Sequence, residues 1–506
     1  MYKRILLCVT LSFVMFSSSS CVDKNGADDL VPNIPDIEAN GNGDNVNHGG
    51  NVPDGGENNF PNFVGGTVAF PGAEGYGKNA TGGRKGDIYV VTNLNDAGYG
   101  SFRDAVSQPN RTIIFNVSGV IKITNSSPIV FKSNQTILGH TAPGDGVVIY
   151  GGRLSASGAT NLIVRYLRVR MGSGYSSQAD AMGVANGSNM IFDHCSFTWG
   201  RDENFSINGD GKGTAPQDIT IQNSIIGQGL QNHSAGGLMQ TGSDDGVTLF
   251  RNLYIDNKTR NPKVKGLNQF VNNVLYNWGN GTAYDMSGGS EGLSETTIED
   301  NYFIVGPGNN YIGQDDGSGN IITVKQVVNP AKPFTGGNEN FRTYWKGNYY
   351  DNNKDGVLNG RPMDWALDCS GSPVFLDARS SRHPIISSQV SAEEAYHIVV
   401  ASVGASLPAR DQVDTYLIDE LTSLGTKGTI IRNETNKEQF PIGGPGVFNS
   451  GTVLLDSDND GIPDEFEDKW GLDKNDPNDA MKVANNGYTN LENYVFSLEF
   501  PEQYNK

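Results

Sequence analysis

The sequence predicts an all-β chain wound as a parallel β-helix, and three observations lead there. Short alternating apolar runs begin at Asn161, Asn189, Asp218, Gly246, Asn268 and Glu295, a spacing of 22–29 residues. Such a period is typical of a solenoid. Within each run two strand-like pieces meet at a polar pair, as at Asp193-His194, Gln222-Asn223, Arg251-Asn252 and Asn272-Asn273. No helical pattern separates the runs, so each coil lays its strands on those of the coil before. Apolar positions then stack inside, and the polar corner residues can hydrogen-bond from coil to coil. A leucine-rich repeat is the rival solenoid, but its regular Leu framework is absent.

The 506 residues divide in chain order. Residues 1–20 read as a lipoprotein signal peptide: Lys3 and Arg4, an apolar run from Ile5 to Phe16, then Ser18-Ser19-Ser20 before Cys21. Cys21 is the expected lipidation site. The expected location is the cell envelope, as an outer-membrane lipoprotein facing the periplasm or the cell surface; ordinary cleavage would secrete the protein instead. Residues 21–62 are rich in Gly, Asn, Asp and Pro and read as a flexible tether. The solenoid is expected over 63–450. Its repeat fades past about residue 330, and 391–425 shows the apolar spacing of helices placed to cover the side or end of the coils.

Residues 451–506 are expected to form a small calcium-binding module. Asp456-Ser-Asp458-Asn-Asp460-Gly461-Ile462-Pro-Asp464-Glu-Phe-Glu467 fits the EF-hand-like pattern D-x-D-x-D-G-x5-E. Asp456, Asp458 and Asp460 would converge on one hard cation, Ile462 would offer a backbone carbonyl, and Glu467 both carboxylate oxygens. The expected role is structural, with a chance acidic loop as the bland alternative. Cys8 leaves with the signal, and Cys195 and Cys369 are either buried thiols or a bridge.

The formal net charge is −19, which argues against nucleic acid as a partner and suits a calcium-binding secreted protein. Against that background Lys258-Thr-Arg260-Asn-Pro262-Lys263-Val-Lys265 places four cations in eight residues. It follows the alternating run Val247–Ile255, and Pro262 cannot continue a central strand, so the cations are expected on the turn that ends it. Upstream lie Asp180, then Asp202 and Glu203, about one coil apart, with Arg260 about two coils further on. Carboxylates from adjacent coils beside a cationic turn suit a divalent cation and an anionic ligand together. Taken singly, each carboxylate reads equally as a turn cap and the basic stretch as a solvated loop. A cation that withdraws charge from a uronate carboxylate acidifies the proton at C5, and a base can then drive elimination across C4–C5.

Residues about 66–425 resemble the pectate lyase family of right-handed parallel β-helices. The resemblance rests on Phe70-Pro-Gly-Ala-Glu-Gly-Tyr-Gly, Ser101-Phe-Arg-Asp-Ala, Ala179-Asp180-Ala181, Phe192-Asp193-His194-Cys195-Ser196, Trp199 to Glu203, and Arg260-Asn261-Pro262 with Lys265. It implies that Arg260 takes the C5 proton, that Lys265 with Lys263 holds a substrate carboxylate, and that Asp180 and Asp202 ligate Ca2+. His194 would be structural. Two departures stand out. The family often has a carboxylate where this chain has Ser206; either Glu203 substitutes for it, or calcium binds weakly and only together with substrate. It also often has a Lys in the region of His233, which is then expected to meet a substrate carboxylate or the leaving oxygen. Arginine is an awkward base, since its free pKa is above about 12. The alternative is that Arg260 only neutralises charge while hydroxide or His233 takes the proton.

The implied partner is an acidic plant polysaccharide, polygalacturonate or pectin, acted on by a monomer whose membrane contact is the lipid anchor alone. A hydrolase of the polygalacturonase type would need several placed carboxylates, and Asp244-Asp245 is the adjacent pair of suitable type in the central coils. A pectin lyase would not need Asp180 and Asp202. A non-catalytic carbohydrate-binding solenoid would use Arg260 and Lys265 as anion contacts only.

Overall fold

The computed structural model describes residues 59–63, 66–176, 178–286 and 293–505. The expected signal peptide, Cys21 and most of the expected tether lie outside these residues. Three sheets wind around one core, parallel throughout except that Arg361–Pro362 pairs antiparallel with Tyr349–Asp351 at the end of the second. The first has eleven strands, from Asp87–Val91 to Val374–Phe375; the second has ten, from Gly119–Lys122 to Arg361–Pro362; the third has eight, from Ile129–Val130 to Phe334–Gly336. One coil reads Gly187–Asp193, Ser196–Thr198, Phe205–Asn208, and the next begins at Gln217–Gln222.

Alternation decides what faces inward. In the first sheet Val164, Phe192, Ile221, Leu249, Phe270 and Ile298 are aligned in successive coils. All six are buried in the main core. Each such side chain contributes roughly 1.5–3 kcal/mol on burial. The sequence pattern showed two strand pieces per coil, and the structure adds a third. Met182–Val184 and Leu238–Gln240 have three residues each, too few for alternation to register.

The corner between the first and second sheets is a single left-handed residue. Tyr166, His194, Asn223, Arg251, Asn272 and Asp300 have φ between 46° and 55°, a region that Asn, Asp and His enter more readily than most residues. The residue that follows forms a buried ladder along the solenoid. Asn252 N donates to Asn273 Oδ1 at 2.9 Å, Asn273 N to Asn301 Oδ1 at 2.8 Å, and Asn301 N to Asn348 Oδ1 at 3.2 Å. Asn273→Ala should destabilise the protein by about 2 kcal/mol, because buried donors lose their acceptor; urea unfolding measures it.

Helices Ala392–Ser402 and Gln412–Thr422 cover the side of the solenoid, packing on Ile225, Leu253, Ile255, Val274 and Tyr276 of the second sheet. The second helix is pinned by Arg170, whose guanidinium donates to Asp411 Oδ2 at 2.5 Å and Asp414 Oδ1 at 2.6 Å. It also sets Glu420 against Asp256 at a corner. Both carboxyls are buried, 2% and 0% exposed. Burial pushes Asp256 up to about 6 and, with the charge of Asp256, raises Glu420 as well. The folded state therefore holds a proton that the unfolded chain releases near pH 4. The associated stability is full below that pH and is lost as pH rises through about 6 and beyond. Glu420→Gln should raise the melting temperature at pH 8–9 and leave it nearly unchanged at pH 4, as calorimetry would show.

The outer face of the first sheet is covered as well. Ile114, Leu138, Ile163 and Ile191 point out of the coil and pack with Phe70, Ile462, Phe466, Trp470 and Leu491. The expected tether boundary at residue 62 needs correction. Phe60 is 2% exposed and stacks on Trp470 at 4.7 Å. An aromatic side chain in an otherwise polar stretch has found a pocket between two parts of the chain, so residues 59–62 belong to the packed body. Cys195 and Cys369 are free buried thiols.

Candidate active site

The site lies along one edge of the third sheet. Lys263–Lys265 is itself a strand there, in register with Leu238–Gln240, and Lys263 also aligns with Asp285. This corrects the expectation that the cations sit together on a turn. The run Lys-Val-Lys alternates: Val264 is buried in the core, and Lys263 and Lys265 face outward, half-buried. Thr259 bridges back to Ala235, and Ala235 to Glu203, so three coils are aligned immediately before the strand. Arg260 follows in the left-handed region, φ 55°. Gly236 has to be glycine here, because a Cβ would stand 2.4 Å from the Arg260 carbonyl oxygen.

The acidic residues converge on this edge from two preceding coils. Asp202 N and Arg201 N both donate to the Ala179 carbonyl, which stacks the Asp202 coil on that of Asp180. Asp202, Glu203 and His233 offer ligand atoms that all lie within 4.8 Å of one another. His233 Nε2 is 3.2 Å from Asp202 Oδ1 and 3.8 Å from Glu203 Oε1. The Arg260 guanidinium lies against the Glu203 carboxylate. Asp180 stands outside the group of three, fully buried, and neither of its oxygens accepts a hydrogen bond. Ser206, where a carboxylate was missed, donates to Glu203 Oε2 at 3.4 Å and accepts from Leu238 N, so it supports Glu203.

Charges here are poised by burial. Burial, then the Asp202 charge, push the Asp180 carboxyl well above the usual carboxylate range. Burial lowers Arg260 from its ordinary value, opposed by Asp202, Asp285 and Asp180. Burial also lowers His233, with Asp202 opposing and Lys258 assisting. Two contributors were illegible in the sequence. Arg153 Nη2 lies 3.9 Å from Asp180, and Asp285 Oδ2 lies 3.8 Å from Lys263 Nζ. Both arrive from the neighbouring coil with no motif around them. His194 sits on the corner between two strands, its Nδ1 2.9 Å from Asp193 Oδ2 and its ring stacked on Tyr166 at 4.8 Å.

The residues present fit a hard divalent cation at this edge. A fully buried Asp180 whose two oxygens accept no hydrogen bond and which feels the charge of Asp202, with Glu203 beside Asp202, is a donor set of that class.

A second acidic cluster occupies the C-terminal loop. Asp456, Asp458 and Asp460 offer oxygens within 4.8 Å of one another, as do Asp460, Glu467 and Asp479. Glu467 accepts no hydrogen bond at either oxygen and is 0% exposed, at the fourth position of helix Asp464–Trp470. Burial and the neighbouring carboxylates push Asp460 up to about 7 and Glu467 up to about 8. Gly461 has φ 92°, and a Cβ there would meet Ile114 Cδ1 at 2.3 Å. Ile462 buries its side chain in the core shared with the first sheet. Asp479 was not foreseen, since it comes from a separate loop.

A parallel β-helix carrying a cationic strand beside buried carboxylates has the build of a polysaccharide lyase. No family model matches the chain. Curated relatives do: a probable pectate lyase C of Neosartorya fischeri is 51% identical over 439 residues, 87% of this chain and 96% of the relative. A probable pectate lyase C of Aspergillus flavus is 50% identical over 436 residues, 86% and 95% of the two chains. The chain belongs to the pectate lyase family. Among solved structures, a thermostable pectate lyase is similar with a TM-score of 0.44 and 15% identity, over 68% of this chain and 99% of that one.

Proposed function

We propose that the chain cleaves α-1,4-linked polygalacturonate by calcium-assisted β-elimination, giving 4,5-unsaturated oligogalacturonides. The observation that carries this is the meeting of Arg260 with the carboxylates of Asp202 and Glu203 at the head of the Lys263–Lys265 strand. Asp180, Asp202 and Glu203 would hold Ca2+, which when bound draws charge from the uronate carboxylate. Lys265 and Lys263 orient that carboxylate by charge. Arg260, whose hold on its own proton is weakened by burial, releases that proton to water and, as the neutral guanidine, takes the proton from C5. The C5–H electron pair forms the C4–C5 double bond, the C4–O bond breaks, and the departing oxygen takes a proton from water or from His233.

The hydrolase alternative lacks support from its carboxylate pair. Asp244 is 86% exposed and bonded to Arg382 at 2.6 Å, on a turn rather than beside a second buried acid. The test is incubation with polygalacturonate at pH about 8–9, with calcium or chelator, following ultraviolet absorbance of the unsaturated product. A calcium-dependent rise is expected. New reducing ends without that absorbance would mean hydrolysis, and binding without either would mean a carbohydrate-binding solenoid.

The N-terminal reading is part of the same proposal. Cys21 would carry the lipid and hold the enzyme at the cell envelope. Cys21→Ala should move the protein from the membrane fraction to the soluble fraction on centrifugation.

A further inference from the structure

We propose that Asp456, Asp458, Asp460, Glu467 and Asp479 together hold one hard divalent cation, and that this closed site clamps residues 59–63 onto the solenoid. The two acidic groups share Asp460, so five carboxylates from two loops converge. Exposed acidic loops are common without an ion. What separates this cluster is Glu467, fully buried and aimed into it, with neither oxygen accepting a hydrogen bond. Oxygens of Asp458, Asp460 and Asp479 are likewise buried without a hydrogen-bond partner. Burying that many acceptors in one place is costly unless a cation meets them. The all-oxygen donor set suits Ca2+ better than a softer metal.

Asp479 makes the site a staple rather than a loop ornament. Its second oxygen accepts from Asp473 N at 3.0 Å, and its carbonyl accepts from Asn490 Nδ2 at 2.9 Å. A cation held by both Asp479 and the 456–467 loop therefore ties helix Asp464–Trp470 to the start of helix Asn490–Glu499. Residues 59–63 lie between these elements. Phe60 N donates to Asn485 Oδ1, Asn485 Nδ2 donates to the Phe60 carbonyl, both at 3.1 Å, and Asn486 Nδ2 donates to the Pro61 carbonyl at 2.8 Å. The Phe60 ring stacks on Trp470, one turn beyond Glu467. Loss of the cation would free the loops, and with them the grip on the chain where it leaves for its N-terminal part.

The test uses the full chain with terbium as the probe, excited through its tryptophans, since Trp470 adjoins the site. Emission should fall at least tenfold in Asp479→Ala and in Glu467→Gln, and persist in Asp202→Ala, which alters the other cluster. In the wild type, chelator should lower the melting temperature by about 3 °C and speed chymotryptic cleavage after Phe63 several-fold, the Phe60–Pro61 bond being resistant to that protease. Asp479→Ala should show the faster cleavage already and respond to chelator no further. Unchanged terbium emission in Asp479→Ala overturns the five-carboxylate site. Unchanged cleavage of the wild type in chelator overturns the clamp. None of these readings depends on turnover, so a failure of the proposed elimination leaves them standing.

Discussion

Arg260→Ala should lower the turnover of polygalacturonate about a thousandfold while KM changes far less. General-base catalysis is worth roughly 10²–10⁴ in rate, and substrate binding is shared with Lys263 and Lys265. The variant also removes the cation lying against Glu203, so a stability loss accompanies it. Arg260→Lys separates the roles. It keeps a positive charge but not the planar donor fork. If Arg260 takes the C5 proton, the lysine variant stays slow by roughly a hundredfold or more. If Arg260 only neutralises charge, lysine restores most of the rate, and His233→Ala then becomes the damaging change. The pH profile of the wild type adds an independent reading. A histidine base leaves the rate level above about pH 7.5, whereas a base with a much higher pKa leaves it still rising at pH 9. Product absorbance with wild type and the three variants decides between them.

The parts of this molecule that could be read from the sequence are those a period announces. Val164, Phe192, Ile221, Leu249, Phe270 and Ile298 recur once per coil, so the first sheet and its polar corners were visible. The third sheet was not, because a strand such as Met182–Val184 is three residues of unremarkable composition. That sheet carries the site, and Lys263 and Lys265 read as turn residues because their three-residue strand shows itself only in its register with Leu238 and Gln240. Asp180, Asp202, Glu203 and Arg260 could be named in advance since they lie near whole-coil spacings. Arg153, Asp285 and Asp479 enter their clusters from other coils or loops, and only the fold brings them in. Phe60 is the same case at the N-terminal side: composition marked its surroundings as tether, and one aromatic contact made them part of the body.

Asp180→Ala should have opposite effects on stability and on activity. The carboxylate is fully buried, its oxygens accept no hydrogen bond, and Arg153 approaches only to 3.9 Å. Removing both oxygens removes groups whose burial costs about 1–3 kcal/mol each, against a small cavity worth about 1 kcal/mol. In chelator the variant is therefore expected to be about 1 kcal/mol more stable than wild type. With calcium present the order should reverse, because a cation bound to the native state stabilises it by mass action and the variant has lost a ligand. Turnover should fall by a hundredfold or more, since losing about 3 kcal/mol of transition-state stabilisation is worth that much. The measurement is a pair of calorimetric scans, in chelator and in calcium, beside the absorbance assay. A residue kept for packing would lower stability in both conditions and spare the rate. Destabilisation in chelator together with unchanged turnover would remove Asp180 from the ligand set and leave Asp202 and Glu203 to hold the cation. The expected crossing of the two stability orders is the signature of a carboxylate that weakens the empty fold and is retained for what it binds.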